Sequence, residues 1–348
     1  MSIMTVEGLV ESRSLGIVSP HEHLFVDIRN QAIGPEEATK RALAEQKVCI
    51  TNLDILSRNP YAVKDNLVLD DISLAEEELL RFKEAGGAAI VDATVRGIGR
   101  DPSALLRVAR ATGVAIVTGC GYYTADTHPP SMENLSIEEI RDEMIQELTV
   151  GIGESAVRAG VIGEIGTSRS VHPDEKKVLC AAAGAHAATN AGVIVHTYPW
   201  GENAHEILDI LAGAGVPPGK ISINHVDVEI NVAYCRSIVK KGAFIEFDDF
   251  GKEYYIDPWD RGYAGGVFAR DIERVRTITI LAAEGFGRNI LISNDLCLKT
   301  MLHRYGGWGY DHILSHIVPM MRDEGIPQDQ IEQMLGDNPK RFLDLARG

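Results

Sequence analysis

Eight short apolar runs, helical segments between them, and no internal linker in a chain of 348 residues predict an α/β fold of the (β/α)8 barrel type. The runs are rich in Val and Ile, and each ends on polar residues or glycine. Such near-continuous apolar runs suit parallel strands covered on both faces. The length suits one elaborated barrel domain over residues 1–348, because barrels of this kind run from about 200 to more than 400 residues.

The elements follow in order. IMTVEGLVESRS, near the start, reads as a small β-hairpin covering the barrel floor. The first strand is LGIVSPH (15–21). Residues 27 to 87 form a long insertion after it, a helical excursion that makes this a distorted TIM barrel. Near its end, SLAEEELLRFKEAGG places Ser73 and Glu76 at capping-box spacing and stops at a glycine pair. AAIVDATV (88–95) and VAIVTGCG (114–121) are strands two and three. In SIEEIRDEMIQEL, Ser136 and Glu139 form a second capping box, and Ile137, Ile140, Met144 and Leu148 share one helical face. Strands four to eight are GVIGEIG (160–166), GVIVHTY (192–198), ISINHVD (221–227), AFIEFDD (243–249) and NILISND (289–295).

Net charge is −16, from 34 basic and 50 acidic residues. A surface this acidic repels phosphate backbones and argues against a nucleic-acid partner. No apolar run is long enough to span a membrane, and the N-terminus shows no secretory pattern. Five scattered cysteines without a C-x-x-C pair suit free thiols in a reducing cytosol, so a cytoplasmic location is expected.

Polar residues at the strand ends carry the functional reading. Residues two apart on a strand point the same way, so His21 and His23 share a face. Taken alone, that pair suits surface or structural histidines. Glu164 at the end of strand four, His196 after strand five, His225 after strand six and Asp295 after strand eight change the balance. All six stand at the C-terminal mouth, where active sites of this fold lie. A buried carboxylate without a partner would take up a proton; a divalent cation removes that cost. Two carboxylates and four imidazoles suit a pair of ions such as zinc or manganese.

This ordered set resembles the amidohydrolase superfamily and, within it, the phosphotriesterase family. The motifs are LGIVSPHEHL, VIGEIG, VIVHT, INHVD, ISND, YGGWGYDHI and MLGDNPKRFL, spread over the whole chain. Better-known members bridge their metals with a carboxylated lysine; Glu164 stands there in this chain, as in the subgroup called phosphotriesterase homology proteins. The resemblance implies that His21, His23 and Asp295 hold the more buried ion and His196 and His225 the more exposed one. Glu164 and a hydroxide would bridge them, and Asp295 would be the catalytic proton acceptor.

The implied activity is hydrolysis of carboxylate esters or lactones, with phosphotriester cleavage as a side activity. Alternatives are an organophosphate triesterase proper, a mononuclear-metal deaminase of the same superfamily, and a non-catalytic metal-holding scaffold. Substrate contacts are expected from Tyr122 and Tyr123 after strand three, and from His303, Arg304 and Trp308 after strand eight. Tyr122, Arg304 and Trp308 are the substrate-binding candidates. The partner is a small-molecule ester or lactone, and a homo-oligomer is left open.

Overall fold

Strand formation follows the apolar runs closely. In the computed structural model, which describes residues 2–32, 34, 37–262 and 265–346, the chain opens on an antiparallel hairpin. It pairs β1 (Ser2–Thr5) with β2 (Gly8–Glu11). The barrel begins with β3 (Ile17–Glu22). A two-residue pairing of β4 (Val26–Asp27) with β5 (Val68–Leu69) closes off the insertion. The other barrel strands are β6 (Gly87–Asp92), β7 (Ala115–Cys120), β8 (Val161–Gly166), β9 (Val193–His196), β10 (Ile221–Ile223), β11 (Phe244–Phe247) and β12 (Ile290–Ile292). They form one eight-stranded parallel sheet in sequence order from β3 to β12. Past the strand ends, the backbone N–H of Asp295 donates to His21 O at 3.2 Å and closes the seam between the outer pair.

Inward-facing residues fill the lower barrel. Val18, Val91, Val117, Val161, Ile194, Phe244 and Leu291 form one buried cluster. Ile3 of the hairpin and Phe342 near the C-terminus cap it from below, so the hairpin covers the floor as expected. The hairpin is tied on by Val6 N–H donating to Ile116 O at 2.8 Å and Leu345 N–H donating to Ser2 O at 2.9 Å.

Helices cover the outside. The excursion holds α1 (Ala38–Ala44) and α2 (Leu53–Leu56). Then come α3 (Ile72–Glu84), α4 (Pro102–Thr112), α5 (Ile137–Thr149), α6 (Pro173–Thr189), α7 (Ala204–Gly213), α8 (Val232–Val239) and α9 (Asp271–Ala283). The capping box of Ser136 and Glu139 is present on α5, and Ile140, Met144 and Leu148 are buried beneath it. On α3 the expected cap is displaced. Asp71, not Ser73, accepts from Leu74 N–H, and Ser73 lies inside the helix. A carboxylate two residues upstream is the better acceptor for the positive helix end.

Two glycines let the strands approach at the level of the site. A Cβ on Gly119 would lie 1.8 Å from Gly163 O, and Gly163 itself has φ +108. No other residue type fits both demands, and Glu164 follows directly. No helix among the described residues is long and apolar enough to cross a membrane.

Candidate metal centre

The barrel mouth collects the six strand-end residues. His21 lies in β3, one residue before its end at Glu22, and His23 lies just beyond, both buried. Glu22 between them points the other way, where Ser19 and the backbone N–H groups of Asn294 and Leu296 donate to it. His225 and Asp295 sit just past β10 and β12 with φ of 60 and 43. Non-glycine residues in that region cost about 1–3 kcal/mol each and cluster at functional sites.

Two triads form. His23 Nε2 lies 2.9 Å from Asp295 Oδ1, and His21 Nε2 lies 3.5 Å from the same oxygen. On the other side, His196 Nδ1 and His225 Nε2 are 2.8 Å apart. Glu164 spans the two. Its Oε1 is 3.4 Å from His23 Nε2 and 3.7 Å from His21 Nε2. Its Oε2 is 3.2 Å from His196 Nδ1 and 3.6 Å from His225 Nε2. Tetrahedral ligands about 2.0–2.1 Å from one ion stand roughly 3.3–3.4 Å apart, so both triads fit cations. Glu164 Oε2 is fully buried yet aligned for a hydrogen bond with neither imidazole, as expected of an atom that serves a cation.

Electrostatics point the same way. Burial pushes His23 down, but Asp295 and Glu164 outweigh it and raise the imidazole to about 9. Burial is likewise overcome at His21 by Glu164 and Asp295, and at His225 by Asp248 and Asp249; both rise well above the usual range. Burial and the neighbouring His225 lower His196. Glu164 is held well below its ordinary value against burial, chiefly by His21, and Asp295 chiefly by Lys252. The carboxylates draw protons onto the imidazoles, which marks a site built to hold positive charge.

Several supporting residues had no role assigned to them from the sequence. Asp248, just past β11, accepts from His21 Nδ1 at 3.2 Å with Oδ2 and from His225 Nδ1 at 3.1 Å with Oδ1. One carboxylate thus aims an imidazole of each triad, leaving both Nε2 atoms for the site. Thr94 holds His23 Nδ1 at 2.8 Å. Lys252 bonds Asp295 Oδ2 and lies 2.9 Å from Asp249 Oδ1. Fully buried Arg274 pairs with Asp227 at 3.0 Å and Asp271 at 2.9 Å, and donates to Lys252 O at 3.1 Å. Asp227 in turn accepts the N–H groups of Asp248 and Asp249. The doubled Asp in FDDF was the available signal, but nothing local says that it turns inward.

None of the three substrate-binding candidates lines the space in front of the candidate metal ligands. Tyr122 faces away from the converging histidines: its hydroxyl donates to Glu143 at 2.6 Å and accepts from Arg96. Gly121, with φ +113, breaks the strand alternation, so Tyr123 faces the mouth instead. Its hydroxyl lies 3.1 Å from His196 Nδ1. Arg304 lies on the surface, paired with Glu77 at 2.8 Å. Trp308 lines a different cavity, and His303 is bound to Asp311 at 2.7 Å. In front of the metal ligands lies a narrow space of about 40 Å³, walled by Ile28, Gln31 and Tyr61 from the insertion and by Tyr123, Trp200, Tyr254 and Phe268.

Comparisons agree with this geometry. The phosphotriesterase family model matches residues 1–343. An N-acetyltaurine hydrolase of Danio rerio is 36% identical over 348 residues, 98% of this chain and 97% of that one. The crystal structure of a resiniferatoxin-binding protein from Rhodobacter sphaeroides superposes with a TM-score of 0.94 at 36% identity, covering 99% of this chain and 95% of that chain. A phosphotriesterase homology protein from Escherichia coli, with phosphate in its active site, gives a TM-score of 0.79 at 26% identity over 96% and 100% of the two chains. The chain therefore belongs to the phosphotriesterase family of metal-dependent hydrolases.

Proposed function

We propose that this hydrolase cleaves uncharged carboxylic esters or lactones at a two-cation site. The observation that carries the reading is Glu164, whose two oxygens face different histidine pairs at 3.2–3.7 Å. His21, His23 and Asp295 would hold one divalent ion and His196 and His225 the other, with Glu164 between them. When bound, the ions supply Lewis acidity and lower the pKa of a water near neutral pH.

The chain's own groups do the rest. Asp248 and Thr94 fix the imidazole orientations. Lys252 pins Asp295 Oδ2, leaving Oδ1 turned to His23 and the reacting centre. Asp295 accepts the proton of the attacking water and passes it to the leaving oxygen. Tyr123 stands beside His196, where its hydroxyl can donate to a substrate oxygen. The insertion's Ile28 and Tyr61 and the rings of Trp200, Tyr254 and Phe268 exclude water.

Pocket chemistry narrows the substrate. Lys252 is the only Lys or Arg among the described lining residues, and two carboxylates engage it. Apart from the bound ions, an anionic leaving group would find no free side-chain cation there. The names of the relatives favour a second reading, hydrolysis of an amide such as N-acetyltaurine.

The test is a substrate panel on metal-loaded protein: aryl acetates, five- and six-membered lactones, N-acetyltaurine and an aryl phosphotriester. The ester reading expects kcat/KM for an ester or lactone at least tenfold above the others. N-acetyltaurine as the best substrate would replace it with the amide reading. Phosphotriesters as the best would make this a triesterase. One ion per chain in the active protein would favour a deaminase-like single-metal site over the two-ion arrangement.

A further inference from the structure

The insertion does more than wall the metal pocket: it reaches the tyrosine that faces it. Gln31 ends a single 3-10 turn, Arg29–Gln31, near the start of the insertion, and its buried side chain lines the pocket. Backbone bonds fix the turn, with Ile28 N–H donating to Leu67 O at 3.0 Å and Gln31 N–H to Ile28 O at 2.9 Å. Two side chains then fasten it to the loop after β7. Asn30 Nδ2 donates to Asp126 Oδ2 at 2.8 Å, and Gln31 Nε2 donates to the Tyr123 hydroxyl oxygen at 3.4 Å. Gln31 is 7% and Tyr123 4% exposed, so bulk water does not compete for that bond.

An amide N–H aimed at a phenol oxygen limits where the phenol's own proton can point. A hydroxyl carries one proton, and a donor on one side turns that proton elsewhere. A neighbouring acceptor is His196 Nδ1, 3.1 Å from the Tyr123 hydroxyl. The same nitrogen lies 3.2 Å from Glu164 Oε2 and 2.8 Å from His225 Nε2, so its lone pair is the one that a cation in that triad takes. With this lone pair occupied, the Tyr123 proton turns to the pocket, which Tyr123 and Gln31 both line. A donor aimed in advance costs no reorganisation when negative charge develops on a substrate oxygen.

We infer that Gln31 is a positioning residue: its amide aims the Tyr123 O–H into the metal pocket, toward an acceptor oxygen of the substrate. This role rests on the two-cation site proposed above and holds for an ester or an amide alike, because both bring a carbonyl oxygen.

The test uses full-length, metal-loaded protein carrying ¹³Cζ-tyrosine, a carbon that responds to hydrogen bonding at its oxygen. The Tyr123 resonance is assigned by Tyr123→Phe. Gln31→Leu is expected to move that resonance while metal content per chain and circular dichroism stay at wild-type values. Gln31→Met, which keeps the length and lacks the donor, stands in if Gln31→Leu fails to fold. Removing the metals from the wild-type protein with a chelator is expected to move the resonance too, as the proton turns to His196 Nδ1. Turnover is read as a double-mutant cycle on the best substrate of the panel. Gln31→Leu is expected to lower kcat/KM about 3- to 10-fold, the worth of one neutral hydrogen bond, and less than about twofold beside Tyr123→Phe, because its effect passes through the hydroxyl. Gln31→Glu, of the same shape but an acceptor, is expected to lower kcat/KM at least as far. A Tyr123 resonance unmoved by either change, additive effects in the cycle, or wild-type turnover by Gln31→Glu would overturn the proposal. The resonance is read without substrate, so a panel in which the amide outruns the esters replaces the ester reading and leaves this role standing.

Discussion

Replacing Asp248 with asparagine keeps the side-chain volume and removes one of the two acceptor oxygens that aim His21 and His225. Both bonds are fully buried on the carboxylate side, at 3.2 and 3.1 Å, so water cannot substitute. Hydrogen bonds to a charged acceptor contribute about 1.5–3 kcal/mol. Asparagine can still accept from one imidazole but turns an N–H toward the other. The Asn224 amide nitrogen already lies against His21 Nδ1 and, being a donor, cannot replace the lost acceptor, whereas Asp249 Oδ2 stands 3.7 Å from His225 Nδ1 as a reserve. The loss should therefore fall on the ion held by His21, His23 and Asp295. At about 1.4 kcal/mol per factor of ten, its affinity drops about 10- to 100-fold, within the range for changes behind a metal ligand. Equilibrium dialysis against a chelator, with metal counted per chain and circular dichroism confirming the fold, measures this. Two ions held at wild-type affinity, or a loss confined to the His196 and His225 side, would refute the reasoning.

Four further outcomes follow from the same structure. Asp295→Asn, assayed at saturating metal, should lower kcat by about 10²- to 10⁴-fold with little change in KM, the signature of a lost proton acceptor; near-full turnover with metals retained would reject that role. Because His23 is raised to about 9, its imidazole holds a proton below that pH, and a cation must displace it. Metal affinity should thus rise as pH increases toward 9, with protons released on binding, and calorimetry in buffers of different ionisation enthalpy would show this; uptake without proton release would contradict it. Phe342→Ala should destabilise the fold by about 3–5 kcal/mol in denaturant titrations, because the ring is fully buried beneath the barrel. Leu9→Ala, on the exposed face of the hairpin, should change stability by under about 0.5 kcal/mol.

The barrel could be read from sequence because its signals are local. Runs such as GVIVHTY and ISINHVD mark buried strands by residue type alone. The alternation of His21 and His23 about Glu22 follows from strand geometry, as does the placement of Glu164 just beyond a glycine. Local rules failed where backbone torsion departs from the regular pattern. Gly121 rotates the chain after β7, so Tyr123 and not Tyr122 reaches the mouth. At α3, two cap-competent residues lie two positions apart, and only the three-dimensional entry of the chain selects Asp71 over Ser73.

Residue type and periodicity thus decide the eight strands, the covering helices, the floor hairpin and the row of candidate metal ligands at the mouth. Each depends on neighbours a few positions away and on the demand to bury apolar surface. Contacts over long stretches of chain decide the rest. Asp248 joins histidines 227 and 23 positions away, Lys252 is buried against Asp295 43 positions on, and His312 meets Asp271 across 41. Only the closed sheet and its packed loops bring such pairs together, because a side chain's partner is set by where the backbone turns, which no local pattern records.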